Sequence, residues 1–358
     1  VGNYLTIDIG AGTMDMLCYV PQENMHYKAV VTSPVRTRAT EVSATNGDLL
    51  VTGVEMGGGP VTEALKERAR TARVIMSPSA AATLHHNPER VTEMGIQIAA
   101  DSEIDTLMAG GDFTHIHLGD LEPSRIESIV RGFGLPFDFE AIALCAQDHG
   151  AAPPGTSHLD FRHGLFKERL DQQPCPHTLL YTPQSLPKEF NRLKSIARSA
   201  AELPTRSVYV MDSGMAAILG ASMDPSVRGK ALIMVLDIAT SHTVGATLQD
   251  GELLASFEYH THDITLERLE ELLRDCADGK LEHARILAEG GHGAYTRKAP
   301  GYDKIDTIVA TGPKRRLLAT SRLPITWGAP WGDNMMTGCV GLLEAVRRHT
   351  GMAPIEYI

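Results

Sequence analysis

One pattern occurs twice in this chain and constrains its fold more than any other feature. A short apolar strand ends in an aspartate, a turn of small residues follows, and a second strand returns. The first copy runs Tyr4-Leu5-Thr6-Ile7-Asp8-Ile9, then Gly10-Ala11-Gly12-Thr13, then Met14 to Val20. The second runs Ala231 to Leu236, Asp237, Ile238-Ala239-Thr240-Ser241, then His242 to Leu248, turns at Asp250-Gly251 and returns through Leu253 to Tyr259. One supersecondary unit recurring in each half predicts two lobes built on the same plan. At 358 residues the chain exceeds the size at which a single core stops growing, so each half is expected to bury its own core.

The intervening stretches fill out an α/β pattern. Strand signals continue at His26 to Val31 and Leu49 to Val54, and Pro60 to Arg70 has a helix-start proline with helical apolar spacing. Residues of about 70–205 read as an insertion in the first lobe that carries a substrate or partner surface; it includes the strand-like Ala141 to Cys145 and the turn Pro153-Pro154-Gly155. Lys188 to Ala201 reads as a basic amphipathic helix with a solvated face. Ser207 to Met211 is a strand, Asp212 to Ala221 a small-residue helix, Ile305 to Ala310 a strand running into Thr311-Gly312-Pro313, and Asn334 to His349 a final helix. The expected division is 1–228 for the first lobe, 229–333 for the second, and 334–358 for a helix packing back on the first.

A net charge of −11 argues against a broad basic surface for nucleic acid. The compact basic run Lys314-Arg315-Arg316 reads instead as a local site for one phosphate or an adenine ring. No apolar run approaches the roughly 18 to 20 residues of a membrane helix, and the chain opens on a strand pattern, so no membrane role and a cytoplasmic location are expected. The five cysteines are scattered with no Cys-x-x-Cys pair and read as buried free thiols.

Chemistry concentrates at the two turns. Gly10 and Gly12 lack the Cβ atoms that would hold a polyphosphate away from backbone N–H groups, and Thr13 adds a hydroxyl donor. Asp8, at the end of a buried strand, is placed to hold Mg²⁺ through its waters. A plain Gly-rich turn is the alternative.

On these residues the chain resembles the actin-like ATPase superfamily of actins, heat-shock chaperones and sugar kinases. Asp8 to Asp15, with Gly10, Ala11, Gly12 and Thr13, looks like the first phosphate loop. Asp212 to Ala221 looks like the connecting helix, Asp237 to His242, with Thr240 and Ser241, like the second phosphate loop, and Val309-Ala310-Thr311-Gly312 like the adenosine motif. The resemblance implies a two-lobed actin-like ATPase (ribonuclease H-like) fold with ATP and Mg²⁺ in the cleft. Asp8 and Asp237 would hold the metal largely through water, and Thr311, Gly312 and Lys314 would face the nucleotide. Asp212 would orient water or a substrate hydroxyl, a role that coexists with capping its helix. In two places the pattern departs: Ala239-Thr240-Ser241 stands where chaperones have glycines, and Thr311-Gly312-Pro313 replaces a double glycine.

The chain as a whole also resembles a prokaryotic family labelled as a pyruvate formate-lyase activating protein. That label implies radical chemistry, which demands a Cys-x-x-x-Cys-x-x-Cys site absent from this sequence, so only the nucleotide-binding fold is carried over.

Asp148 and His149, followed by the loop to His158, are further acid/base or substrate-contact candidates, with a capped polar turn as the alternative. His115/His117 and His260/His262 have the i, i+2 spacing that shares a strand face and suits a transition metal, but no cysteine ligand sits nearby in sequence and they read as exposed or core-satisfied; Gly290-Gly291-His292-Gly293 reads as a flexible loop. Three functions share the site: a Mg²⁺-dependent ATPase or small-molecule kinase, an ATP-driven activator of a partner enzyme, and a chaperone- or filament-like interaction protein. The partner is a small-molecule acceptor or another protein, and a homodimer is compatible with either.

Overall fold

The computed structural model describes residues 2–153 and 155–357; Pro154 of the Pro153-Pro154-Gly155 turn lies outside the described residues. The chain opens with β1 (Asn3–Ile9), β2 (Thr13–Val20) and β3 (Met25–Thr32), an antiparallel meander. Four short strands follow: β4 (Leu49–Gly53), β5 (Val74–Met76), β6 (Gln97–Ile98) and β7 (Thr114–Leu118). They form a separate parallel sheet in the order β6-β5-β4-β7, with its own core around Leu49, Val51, Val61, Leu65 and Ile116. β8 (Phe139–Ala146), β9 (Leu180–Tyr181) and β10 (Val208–Asp212) then return to the first sheet, whose order is β3-β2-β1-β8-β10-β9.

The second lobe repeats that plan. β11 (Leu232–Ile238), β12 (His242–Gln249), β13 (Glu252–His260), β14 (Gly293–Thr296), β15 (Thr307–Thr311) and β16 (Ile325–Trp327) pair in the order β14-β13-β12-β11-β15-β16. In each sheet an antiparallel meander leads outward from the first strand, and the strand that follows the crossover pairs parallel to that first strand. This is the two-lobed actin-like ATPase fold, two sheets of one topology.

The insertion differs from its expected place at 70–205. The inserted sheet begins at Leu49, and the Ala141 to Cys145 strand expected inside the insertion belongs to β8, paired with β1 from Asn3 to Asp8. Apolar strands of similar composition serve both sheets, so local pattern could not say to which sheet each belongs.

The helices Ser213–Ala221 and Thr337–Thr350 lie between the two sheets and share one core with them, from Leu5, Ile7 and Leu144 to Ile233, Val235 and Val244. Their backbones touch. A Cβ on Gly341 would stand 1.8 Å from the Ala216 carbonyl oxygen, and one on Gly220 1.8 Å from that of Thr337, so only glycine permits this approach.

Glu344 anchors the second of these helices. Its carboxylate, 3% exposed, accepts hydrogen bonds from Arg347 Nε (2.7 Å) and Nη2 (2.8 Å), Arg348 Nε (2.7 Å) and Tyr357 Oη (3.1 Å). Burial works against this charge, but the two arginines outweigh it and hold the pKa below the usual 4.5. A carboxylate depressed in the folded state adds stability that is present above its unfolded pKa and disappears as pH falls through the folded value. Glu344→Gln is therefore expected to cost about 2 kcal/mol in urea unfolding at pH 7. The deficit relative to wild type should shrink as the pH falls below 4.5.

Candidate functional site

The two hairpin turns face each other. In the first, Gly10 N–H donates to the Thr13 carbonyl (3.0 Å), Ser33 N–H donates to the Gly12 carbonyl (3.2 Å), and Ser33 Oγ donates to that of Gly10 (2.6 Å). In the second, Ala239 N–H donates to the His242 carbonyl (3.0 Å), while Thr261 bonds the Ala239 and Ser241 carbonyls. A Cβ on Gly12 would lie 2.9 Å from Thr240 Cγ2, so the turns are in contact. Gly312, at φ +89°, lets its backbone cross that of Ile238, where a Cβ would meet the carbonyl oxygen at 2.4 Å.

These turns open onto a cavity of about 910 Å³. Asp8, Gly10, Ala11, Gly12, Thr13, Asp148, His149, Asp237, Thr240, Ser241 and Gly312 all line it. Asp212, Thr311 and Lys314 stand outside that lining. Thr311 Oγ1 donates to Asp237 Oδ1 (2.8 Å) from behind, and Lys314 is exposed while its backbone N–H donates to the Ile238 carbonyl (2.9 Å).

Three carboxylates, Asp8, Asp15 and Asp237, converge here with no salt-bridge partner among the described residues. Burial pushes Asp8 up to about 6, with Asp212 adding to the rise and Cys145 and Arg192 opposing it. Burial and the nearby Asp8 push Asp15 up to about 8, and burial raises Asp237 to about 7 against the Thr311 hydrogen bond. Asp15 Oδ1 is buried with no hydrogen-bond partner among the described residues. Such a cluster is what a divalent cation and its waters would neutralise. Gly338 closes over it, since a Cβ there would stand 2.0 Å from Asp8 Oδ2.

Asp212 occupies a different setting. Its Oδ1 accepts from the Gly214 (3.0 Å) and Met215 (3.3 Å) amides, capping the helix, and its Oδ2 accepts from Arg162 Nη2 (2.6 Å). Arg162, 4% exposed, also donates through Nη1 to Glu258 Oε2 (2.8 Å) in the second lobe. Burial raises Asp212 against the pull of Arg162; for Glu258, burial is outweighed by Arg162, His292 and His242, which hold its pKa well below the usual range.

Asp148 likewise serves the backbone, accepting from Gly150 (2.8 Å) and Leu193 (2.9 Å) amides. The His149 ring is exposed to the cavity. Desolvation by the surrounding walls pushes its pKa down to about 3, with Arg162 and His292 adding to the fall and Glu258 opposing it, so the ring is neutral at physiological pH.

Two residues escaped the sequence reading. Arg162 sits on the helix His158–Gln172 among polar residues, and nothing local marks it as buried. Arg192, on the helix expected to be solvated, grips Asp120 through Nε (2.8 Å) and Nη2 (2.9 Å) and donates to the Gln147 carbonyl (2.8 Å). Both are arginines on helices of mixed polarity, where the only hint was an arginine rather than a lysine. The cysteines are free, four of them buried and Cys175 half-buried.

If the carboxylate cluster is unneutralised, removing one charge should relieve it. Asp237→Asn, which keeps the oxygen that accepts from Thr311, is expected to stabilise the nucleotide-free protein by about 2 kcal/mol at pH 7.5. Urea unfolding in the presence of a chelator reads this directly; a loss of stability would mean the carboxylate is already satisfied.

The structure is similar to the "Lmo2764 protein, a putative N-acetylmannosamine kinase" of Listeria monocytogenes, at 11% identity and TM-score 0.36, covering 97% of this chain and 99% of that one. It is similar to MreB5 of Spiroplasma citri bound to ADP, at 11% identity and TM-score 0.34, covering 98% and 97%. It also resembles a chain of the PilM-PilN type IV pilus biogenesis complex, at 13% identity and TM-score 0.39, covering 98% and 99%. By sequence, no curated protein matches the chain. A family model described as "Putative pyruvate format-lyase activating enzyme (DUF1786)" matches residues 56–317, and the chain belongs to that family.

Proposed function

We propose that the cleft binds ATP with Mg²⁺ and that the protein is a Mg²⁺-dependent ATPase. The observation that carries this reading is the convergence of Asp8, Asp15 and Asp237, buried and with no salt bridge among the described residues, beneath two facing turns rich in backbone N–H groups and hydroxyls.

In this reading the turn amides with Thr13, Thr240 and Ser241 hold the phosphates, and Asp8 and Asp237 hold the cation through its waters. Mg²⁺ bound there would neutralise charge on the phosphates as the γ-phosphoryl leaves. Gly312, which lines the cavity beside the second turn, is the candidate for the adenosine side. Of the three acid/base candidates, Asp212 and Asp148 have their oxygens committed to backbone amides and, for Asp212, to Arg162, whereas His149 is open to the cavity and is the group placed to orient water. The scattered, mostly buried cysteines support keeping radical chemistry out of this reading.

A second reading, transfer to a small-molecule acceptor, is supported by the extension of the cavity beyond the turns to Glu55, Gly57, His86 and His158. That wall belongs partly to the inserted unit and leaves space for a second ligand.

Thermal unfolding with and without MgATP tests the binding claim. At ligand a hundredfold above Kd, wild type should gain about 2.7 kcal/mol, and Asp237→Asn should lose most of the gain. No shift in wild type would overturn the nucleotide site. ADP release in water alone, measured against a metabolite panel, then decides between hydrolysis and transfer; equal release in both favours the ATPase.

A further inference from the structure

Eight of the 15 histidines of the chain line the cavity, far more than a nucleotide site uses. Three of them form a group of their own. His242 starts β12, His260 ends β13, and the antiparallel register places them directly opposite, on one face of the sheet. His292 precedes β14, whose Gly293 pairs with Glu258. Ring nitrogens of the three all lie within 4.8 Å of one another.

The polar contacts of these rings are those of ligands. His292 Nε2 and His260 Nε2 face each other at 3.1 Å, two atoms that are both acceptors unless one carries a proton or both share an ion. His242 Nε2 is buried with no hydrogen-bond partner among the described residues. On its far side, His292 Nδ1 stands 3.2 Å from Glu258 Oε1 and 3.0 Å from Gln147 Nε2. Glu258, paired with Arg162 at 2.8 Å, is a carboxylate that accepts from Gln147 Nε2 and draws the proton to His292 Nδ1, which leaves the Nε2 lone pair toward His260. The Gln147–Nδ1 approach is then a contact between two donors to Glu258, not a hydrogen bond.

We propose that His242, His260 and His292 bind one divalent transition metal of the zinc type, with Glu258 as the carboxylate that orients His292. Around four-coordinate zinc with bonds of about 2.0 Å, ligand nitrogens are about 3.3 Å apart. The His260–His292 edge, at 3.1 Å, is close to that length, and closing the other two, which stand within 4.8 Å, requires the half-buried His242 ring to move. Glu258 behind His292 reproduces the carboxylate–histidine–metal arrangement that fixes tautomer and orientation. Three protein ligands leave a fourth position open to the cavity, where His149, its ring centroid 5.1 Å from that of His292, approaches from the other lobe. The ligands are nitrogens, which favour zinc, cobalt or nickel over the oxygen-seeking Mg²⁺. This site is therefore separate from the carboxylate cluster and does not depend on the nucleotide reading.

The test uses the full chain without an affinity tag, stripped with chelator and titrated with Co²⁺ in the absence of nucleotide. Wild type should take up one equivalent, with the visible absorption of a four-coordinate nitrogen-ligated ion, and Zn²⁺ should displace it. His292→Ala and His242→Gln should each weaken binding at least a hundredfold, and Glu258→Gln about 10- to 100-fold. Asp8→Asn should bind Co²⁺ like wild type whether or not it binds MgATP, which separates the two sites. His242 lies at a partly open strand end, so its variant should keep the wild-type circular dichroism even if His292→Ala does not fold. No stoichiometric binding by wild type, or unchanged binding by a folded His242→Gln, overturns the proposal.

Discussion

The crossing of Ser213–Ala221 over Thr337–Thr350, backbone against backbone at Gly220 and Gly341, sets how close the two sheets can stand. Side chains larger than hydrogen at either position would force the helices apart, and close-packed interiors have little room to absorb such a shift. The same C-terminal helix starts at the site: Gly338 lies against Asp8, so the contact that joins the lobes also seals the floor of the cleft. Glu344 and its arginines hold the far end of that helix. Site and fold are thus tied through one element.

Arg162 is the second constraint. One guanidinium bridges the helix-capping Asp212 of the first lobe and Glu258 of the second. Removing either partner from so buried a charge is costly, whereas the intact set contributes modest net stability, so its effect is to fix relative position. Glu258 in turn faces His292, and Gln147 at the end of β8 reaches both. Any motion that opens the cleft must break or carry along this chain of contacts, which links the edge of the histidine group to the start of the connecting helix.

The hairpins around Asp8 and Asp237 were legible because they are local: apolar strand, acid and small-residue turn lie within a dozen residues of one another. Asp212 was legible as a cap for the same reason, and both oxygens prove to be engaged. The insertion was not, because the apolar runs at Leu49 and at Ala141 look alike while their sheets differ. Arg192 was read as part of a solvated face, yet it is sequestered by Asp120, a partner 72 positions away. His260 has only one other histidine, His262, and no cysteine near it in sequence. Its neighbours, His242 and His292, come from strand register and a returning loop that spacing alone does not reveal.

The repeated strand–aspartate–turn unit determined by itself that the chain would build two like sheets, since pleating and turn chemistry act over a few residues. What only the tertiary structure decided is where charge gathers: three aspartates with no salt bridge among the described residues at one end of the cleft, and an arginine between two carboxylates and three histidines at the strand ends of the second sheet. Electrostatic environment depends on burial and on partners far away in sequence, and these exist only once the lobes have packed.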